Sequence, residues 1–184
     1  GSGRSIKGFS LIGAMQEIPE HFSKFGGHPM ACGFSLANTE GMDALREALC
    51  AQYEHNTKDT DMTPLLDIDA EIHLEDITWE LHDSLERLTP FGQGNPKPHY
   101  VAKGVKVVKV EAMGKDARHL KLQLTHQTPV IRKAIGWSMC EATATTNWCT
   151  LLQPGDMIDI VFEVDINEWN GRRELRITII DIHK

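Results

Sequence analysis

The sequence predicts an α+β protein in two parts: a small α/β portion over residues 1–57, then a five-stranded β-barrel over residues 65–184 with a strand–helix extension at its start. Three observations predict this. The first third interleaves helical and strand spacings of apolar residues. Residues 55–64 are polar, lack periodicity and end in Pro64, the composition of an interdomain linker, with 58–64 as the linker proper. From residue 99 onward, period-two alternation returns between turn signals often enough to supply five strands.

Taken in order, residues 8–24 place Phe9, Leu11, Ile12, Met15, Ile18 and Phe22 at spacings that fit an amphipathic helix, which Pro19 breaks or restarts. A turn at Gly26-Gly27 follows. Residues 29–36 read as a short strand, with Met30, Cys32 and Phe34 alternating. Asn38 or Thr39 caps a second helix, whose buried stripe is Met42, Leu45, Leu49 and Tyr53.

Beyond the linker, Leu65 to Leu74 reads as a strand with Leu66, Ile68, Ala70 and Ile72 on one face. Asp76 then caps a helix with the stripe Ile77, Leu81, Leu85 and Leu88, which ends before Pro90. The loop from Pro90 to Pro98 is dense in turn formers and reads either as a rigid connector or as a flank of a substrate path. Val101 to Val110 is a strand in which Gly104 marks a bulge. His119 to Thr125 alternates cleanly, Leu120, Leu122 and Leu124 inward, and Val130 to Trp137 is its hairpin partner. After a helical or irregular stretch at 138–152, Ile158 to Ile166 and Leu175 to Ile179 form two more strands joined by the hairpin signal Asn170-Gly171. Five strands with a helical segment between the third and fourth fit an OB-type barrel.

Composition narrows the function. No apolar run suggests a membrane span, no signal peptide opens the chain, and Gly1 reads as the start of a fragment. Cys32, Cys50, Cys140 and Cys149 form no CxxC pair and read as reduced, partly buried thiols of a cytoplasmic protein. The nine histidines contain no HExxH, and neither His21 with His28 nor His119 with His126 makes a metal pattern. The net charge is −7, but it is unevenly spread: +1 over 1–36, −11 over 37–96, +7 over 97–133 and −4 over 134–184. The basic stretch fits either a nucleic-acid face or the solvated side of exposed strands.

Two motifs carry the chemistry. Gly1-Ser2-Gly3-Arg4-Ser5 and Phe25-Gly26-Gly27-His28, the latter followed by Ala31-Cys32-Gly33, set bare backbone beside polar side chains. Consecutive N–H groups in a glycine turn suit an anion, and the Arg4 fork matches phosphate.

These segments resemble a DHHA1 domain: Gly1 to Ser5 with Gly8-Phe9 is similar to its phosphate-contacting segment, and Lys24 to His28 with Ala31-Cys32-Gly33 to its GGH motif. The 90–98 loop, and Asn167-Glu168-Trp169-Asn170-Gly171 before the last strand, resemble the OB end of RecJ exonucleases. The resemblance implies the C-terminal part of a single-strand-specific 5′→3′ DNA exonuclease of repair and recombination, acting by two-metal hydrolysis with Mn or Mg. The metal ligands would belong to a DHH domain preceding Gly1. No Asp-His-His cluster stands in the 184 residues, and His82-Asp83 sits in an ordinary helix, so the chain alone is expected to be inactive, with no metal, cofactor or catalytic residue of its own.

By the same resemblance, Ser2, Arg4 and Ser5 belong to the phosphate segment, and Gly26, Gly27 and His28 border the catalytic cleft, with His28 near the scissile phosphate. On the barrel, Lys103, Lys106, Lys109, Arg118 and Lys121 are the electrostatic candidates, and Tyr100 and Trp169 the stacking ones. The partner is single-stranded DNA, with a single-strand-binding protein or another repair factor as further partners and no membrane. The acidic segment 37–96 must then face away from DNA. Two alternatives remain: a noncatalytic OB module that docks repair proteins, and a related DHH-family phosphodiesterase.

Overall fold

The structure, a computed structural model, describes all residues except Thr39, Met62 and 142–145, and of Trp169 the backbone only. The chain divides into two compact units, Gly1–Leu65 and Leu66–Lys184.

The first unit contains β1 (Ser2–Arg4), α1 (Leu11–Gln16), a 3-10 turn at Pro19–His21, β2 (Phe22–His28), β3 (Ala31–Leu36) and α2 (Met42–Thr57). The strands form an antiparallel sheet in the order β1-β3-β2. Ser10 caps α1 by accepting from the Gly13 N–H at 3.2 Å. The helix expected over 8–24 stops at Gln16, because Pro19 restarts the chain as a 3-10 turn and Phe22 opens a strand. The expected Gly26-Gly27 turn is corrected as well. Both glycines lie inside β2, paired with β3, and the reversal falls on Pro29 and Met30. At α2, Asn38 accepts from the Gly41 N–H at 2.7 Å, while Thr39 lies outside the described residues. The helix runs on to Thr57, so His55 to Thr57 are helical rather than linker. Leu45 is buried and Met42 exposed, which narrows the expected stripe. Met15, Ile18, Phe22, Cys32 and Leu45 make the core of this unit.

The second unit contains β4 (Ala70–Glu71), a 3-10 turn at Leu74–Asp76, α3 (Trp79–Glu86), β5 (Tyr100–Met113), β6 (His119–Thr125), β7 (Arg132–Gly136), α4 (Trp148–Leu151), β8 (Met157–Trp169) and β9 (Arg172–His183). The ladder runs β5-β6-β7-β9-β8, and β8 pairs back onto β5 to close a five-stranded barrel. β7 and β9 are parallel and the other barrel pairs antiparallel. Leu120, Leu122, Leu124, Ala134, Ile158, Ile160, Phe162 and Ile177 point into its core, as alternation requires. Gly104, at φ +64, sits where the β5–β8 register shifts, so the expected bulge is present. Asn170 and Gly171, both with positive φ, make the expected hairpin turn.

Three expectations change here. The strand expected over 65–74 shrinks to Ala70–Glu71. Its ladder partner is the start of β5, at Tyr100 and Val101; the pairing is parallel, so 65–69 would lie opposite the turn-rich residues before Tyr100, where β5 has not begun. Leu65, Leu66 and Ile68 are therefore exposed. The α3 cap is Thr78, accepting from the Leu81 N–H at 3.3 Å. Asp76 instead accepts from the His73 N–H, and Leu88 lies exposed past the helix end. Cys140 and Cys149 are not separate thiols: they are joined as a disulfide, with Cα atoms 5.2 Å apart. Cys32, buried, and Cys50, exposed, are free.

Candidate nucleic-acid interface

In the first unit, register decides which predicted residues meet. Ser2 and Gly26 both stand opposite Gly33, and Arg4 and His28 both stand opposite Ala31. Cross-strand partners share a face, so Ser2, Arg4, Gly26 and His28 lie on one side of the sheet, with Lys24 opposite Ser35 beyond them. Between the polar residues lies bare main chain at Gly26 and Gly33. A Cβ built on Gly26 would meet nothing within 4 Å, so another molecule can come close there.

Gly27 turns to the opposite side, next to buried Cys32. At φ +145, a Cβ there would come within 2.4 Å of the Ala31 carbonyl oxygen, so its role is close strand packing. Ser5 is not brought to the polar face. Its hydroxyl donates to the Phe9 carbonyl at 2.6 Å and its N–H to the Met30 carbonyl. The anion-binding turn expected here is thus a flat glycine ladder.

On the barrel, most of the expected cations are already engaged. Lys103 pairs with Glu71 at 2.7 Å, and that bond holds its pKa above the ordinary lysine value. Lys109 and Lys121 share Glu111, at 3.0 and 3.6 Å. The Lys109 bond leads in holding the Glu111 carboxyl below its usual range. Arg118 lies 3.9 Å from Glu141. Lys106 alone of the five has no ion-pair partner among the described residues. Tyr100 is corrected as a stacking candidate: it is buried, packs on Phe162 at 6.0 Å, and burial pushes its phenol pKa up. The Trp169 side chain lies outside the described residues.

The groups that do converge lie further round the barrel. One groove is lined by Met113, Lys121, Lys133, Ile135, Asn167, Glu174, Leu175 and Arg176. A second is lined by Ile77, Thr78, Trp79, Ile131, Arg132, Lys133, Arg173, Glu174 and Leu175. Lys133, Glu174 and Leu175 belong to both, so the grooves adjoin. Lys121, Arg132, Lys133, Arg173 and Arg176 face a single lining carboxylate, Glu174, in a chain whose net charge is −7. The Nε atoms of Arg132 and Arg176 are buried without hydrogen-bond partners, so neither guanidinium uses all its donors. In this unit the acidic segment spends carboxylates on local bonds. Glu71 holds Lys103, Asp69 accepts from the His99 N–H, and Glu75 accepts from the Thr128 N–H and hydroxyl.

Asp165 fixes one wall of the first groove. It bonds Lys97 of the 90–98 loop, accepts from the Thr178 hydroxyl at 2.6 Å, and lies 3.7 Å from Arg176. Burial alone would raise the Asp165 pKa, but the Lys97 and Thr178 bonds outweigh it and hold the carboxyl below its ordinary value. Burial would likewise lower the Lys97 pKa, and its bonds to Asp165 and Glu163 hold it above the usual value.

A family model described as the RecJ OB domain matches residues 68–181, and one described as the DHHA1 domain matches residues 1–55. This chain belongs to the RecJ family. It is 33% identical over 181 residues to the single-stranded-DNA-specific exonuclease RecJ of Bacillus subtilis, covering 98% of this chain and 22% of that protein. It is 28% identical over 199 residues to the RecJ of Haemophilus influenzae, covering 97% of this chain and 31% of that protein. The chain thus spans less than a third of the length of these RecJ relatives. The crystal structure of Thermus thermophilus RecJ in complex with Mg2+ shares its fold, with a TM-score of 0.72 at 20% identity, over 100% of this chain and 26% of that one. A second structure of that RecJ holds Mn2+.

Among the described residues, no group of three or more His, Cys, Asp or Glu side chains could hold a metal ion. No described helix is long and apolar enough to cross a membrane.

Sequence reasoning about this RecJ chain missed Lys24, Trp79, Lys133, Trp137, Arg173 and Arg176. A signal for the barrel set was present: Lys133 and Ile135 alternate on the third barrel strand with Trp137 just past its end, and Arg172, Arg173 and Arg176 follow the Asn170-Gly171 turn. In OB barrels the second and third strands and the loop between the fourth and fifth bind oligonucleotides.

Proposed function

We propose that this RecJ-family chain is the strand-binding part of a 5′→3′ single-stranded-DNA exonuclease of DNA repair and recombination in the cytoplasm. It would lead the strand toward a two-metal site on a DHH domain of the whole protein. The single observation that carries the reading is the pair of adjoining barrel grooves, which gather Lys121, Arg132, Lys133, Arg173 and Arg176 with Glu174 as the one lining carboxylate, although Glu111, Glu168 and Asp165 stand 3.6, 3.8 and 3.7 Å from Lys121, Arg173 and Arg176. On the first unit, Ser2, Arg4, Gly26 and His28 share a face that suits a phosphate approaching bare backbone. In this reading Ser5 and Gly27 support that face from behind, and Lys103, Lys106, Lys109 and Arg118 add a weaker, partly neutralised field.

A salt titration tests it. The chain binds an oligothymidylate, and log affinity falls against log salt by roughly 0.7 per phosphate neutralised. Replacing Lys121, Lys133 and Arg176 with Ala together flattens that slope by about two. Equal slopes for parent and variant would remove the grooves from the DNA path. Incubated with end-labelled single strands and Mg2+ or Mn2+, the chain alone leaves them intact.

A second reading, a module that docks a repair protein such as a single-strand-binding protein, is favoured by one cleft. It is lined by His82, Leu85, Glu86, Phe91, Lys97, Pro98, Val164, Asp165 and Ile166. Strand binding that ignores salt would give this reading first place.

A further inference from the structure

We infer that Cys140 and Cys149 are a redox latch on the barrel, closed as a disulfide and opened by a dithiol reductant, and that the latch sets how firmly one wall of the first groove is held. The bond and its reduction stand apart from the strand-binding reading. The effect on the groove rests on that reading and goes past it.

The latch joins the segment that leaves β7 to the helix α4. Cys140 is buried, and Met139, Trp148 and Cys149 pack partly buried against the barrel core. The Cys140 N–H donates to the Arg118 carbonyl and the Trp148 N–H to the Met139 carbonyl, both at 2.9 Å. The Asn147 amide donates to the Cys140 carbonyl and accepts from the Cys149 N–H, both at 3.1 Å. These hydrogen bonds do not involve the sulfurs, so they keep the two cysteines together when the disulfide opens. The Cα atoms lie 5.2 Å apart, inside the span a disulfide bridges without moving backbone. The latch can therefore close again.

Barrel closure does not depend on it. The β5–β8 and β7–β9 ladders that complete the barrel contain neither cysteine nor α4. Opening the latch loosens α4 and the exit of β7 while the barrel stays closed.

That exit carries the groove wall. The Ser138 N–H donates to His119 Nδ1 at 2.9 Å, and the His119 ring meets Trp137 edge-on at 4.9 Å. The Arg176 guanidinium lies over the Trp137 ring at 5.9 Å, and Arg176 lines the groove with Lys121 and Lys133. Cys140 thus stands three residues past the side chain on which Arg176 rests. A closed latch holds that support in place. An open one gives Trp137, and Arg176 with it, more freedom to lose on binding.

The chemistry is thiol–disulfide exchange. Cys149 is the more open of the pair, so a thiolate of the reductant attacks its sulfur. The S–S bond breaks, and Cys140 leaves as a thiolate that takes up a proton. The reductant's second thiol then attacks the mixed disulfide and releases Cys149 as a thiol. The reductant ends as its own disulfide, and two electrons have passed to the cysteine pair. A low-molecular-weight disulfide closes the latch by the reverse exchange. Cys32 and Cys50 take no part, being free thiols.

The test holds the purified chain in dithiothreitol or in oxidised glutathione. Denatured and alkylated, the reduced chain carries label at Cys140 and Cys149, and the oxidised chain carries none at either. Reduction lowers the urea midpoint of the second unit by about 1 M. It weakens oligothymidylate binding by about two- to fivefold, and reoxidation restores both values. Cys149→Ser behaves as the reduced chain in either buffer, and Cys50→Ser responds as the parent does. The reduced parent supplies the same comparison in the unaltered sequence. Label at Cys140 and Cys149 under oxidising conditions, a midpoint unmoved by reduction, or a Cys149→Ser chain that still responds overturns the latch. Thymidylate affinity unmoved by reduction overturns its hold on the groove and leaves the strand-binding reading intact. A parent chain that binds no strand in either buffer overturns that reading instead, and the labels and the urea midpoint still decide the latch.

Discussion

On the first unit the candidate surface is main chain. Gly26 and Gly33 stand opposite each other, with Ser2, Arg4 and His28 at the margin. On the barrel it is side chain, with long cations standing out from strands whose inward residues are buried. The first surface works by what is missing, so any added Cβ changes it and dissolved salt acts mainly through Arg4. The second works by reach and charge, so it is forgiving of shape and sensitive to ionic strength. In the proposed reading, the first surface is a close contact for backbone phosphate and the second a longer-range one for charge.

The largest expected effect breaks the barrel side. Phe162→Ala empties the centre of the core, where the ring is fully buried, and should cost about 3–5 kcal/mol in urea unfolding of the second unit. The ladder side breaks at Gly27→Val. A side chain there meets backbone at Ala31 and Cys32, and a loss on the order of 3 kcal/mol is expected from the first unit's transition. Gly26→Ala sharpens the contrast: open space awaits its methyl group, so the melting temperature should hold while strand affinity falls.

Next in size is Arg4→Ala in the complete enzyme. Arg4 is exposed, and its Nη1 donates only to the Gly3 carbonyl, at 2.9 Å. Substrate affinity should drop by about 1.5–3 kcal/mol with little change in melting temperature. A large melting shift with unchanged affinity would make Arg4 structural.

The smallest effect is one of pH. Asp165 is held below its ordinary 3.8, so its bonds add stability above that value, and the contribution is lost as pH falls through the lower folded one. Lys97 is held above 10.5, so its share persists below that pH and fades only as pH rises past it. Asp165→Asn should therefore lower the urea midpoint at neutral pH and flatten its decline below about pH 4. A variant as acid-sensitive as the parent would show that other carboxylates set the profile.

Period-two patterns carried most of the barrel into the sequence reading. His119 to Thr125 alternates because one face packs the core and the other does not, and Asn170-Gly171 is a pair that a tight hairpin selects. What stayed hidden depends on partners distant in sequence. Leu65 to Leu74 looks like a strand, yet in its parallel register residues 65–69 fall opposite the loop before Tyr100 and find no ladder there. Tyr100 sits at a strand start where either face was open to it, and closure of β8 onto β5 sends it inward. Glycines at 26 and 27 suggest a turn locally, and only the small residues of β3 make them a ladder. The lysines of the basic stretch were visible, but Glu71, Glu111 and Glu141 as their partners were not. Cys140 and Cys149 follow no spacing rule, and the fold alone brings them together.

Barrel closure has one more consequence. In each barrel strand both edges are occupied for part or all of its length, and the one appended strand, Ala70–Glu71, is two residues long. The β8–β9 hairpin runs on past the barrel seam: in the ladders, 163–169 pair only with β9 and 172–176 only with β8, so main chain stays open along that arm. The sheet of the first unit ends, among the described residues, at β1 on one side and β2 on the other. A strand that joins this chain by backbone pairing, from its own protein or another, finds open edges there and along the outer part of the β8–β9 hairpin.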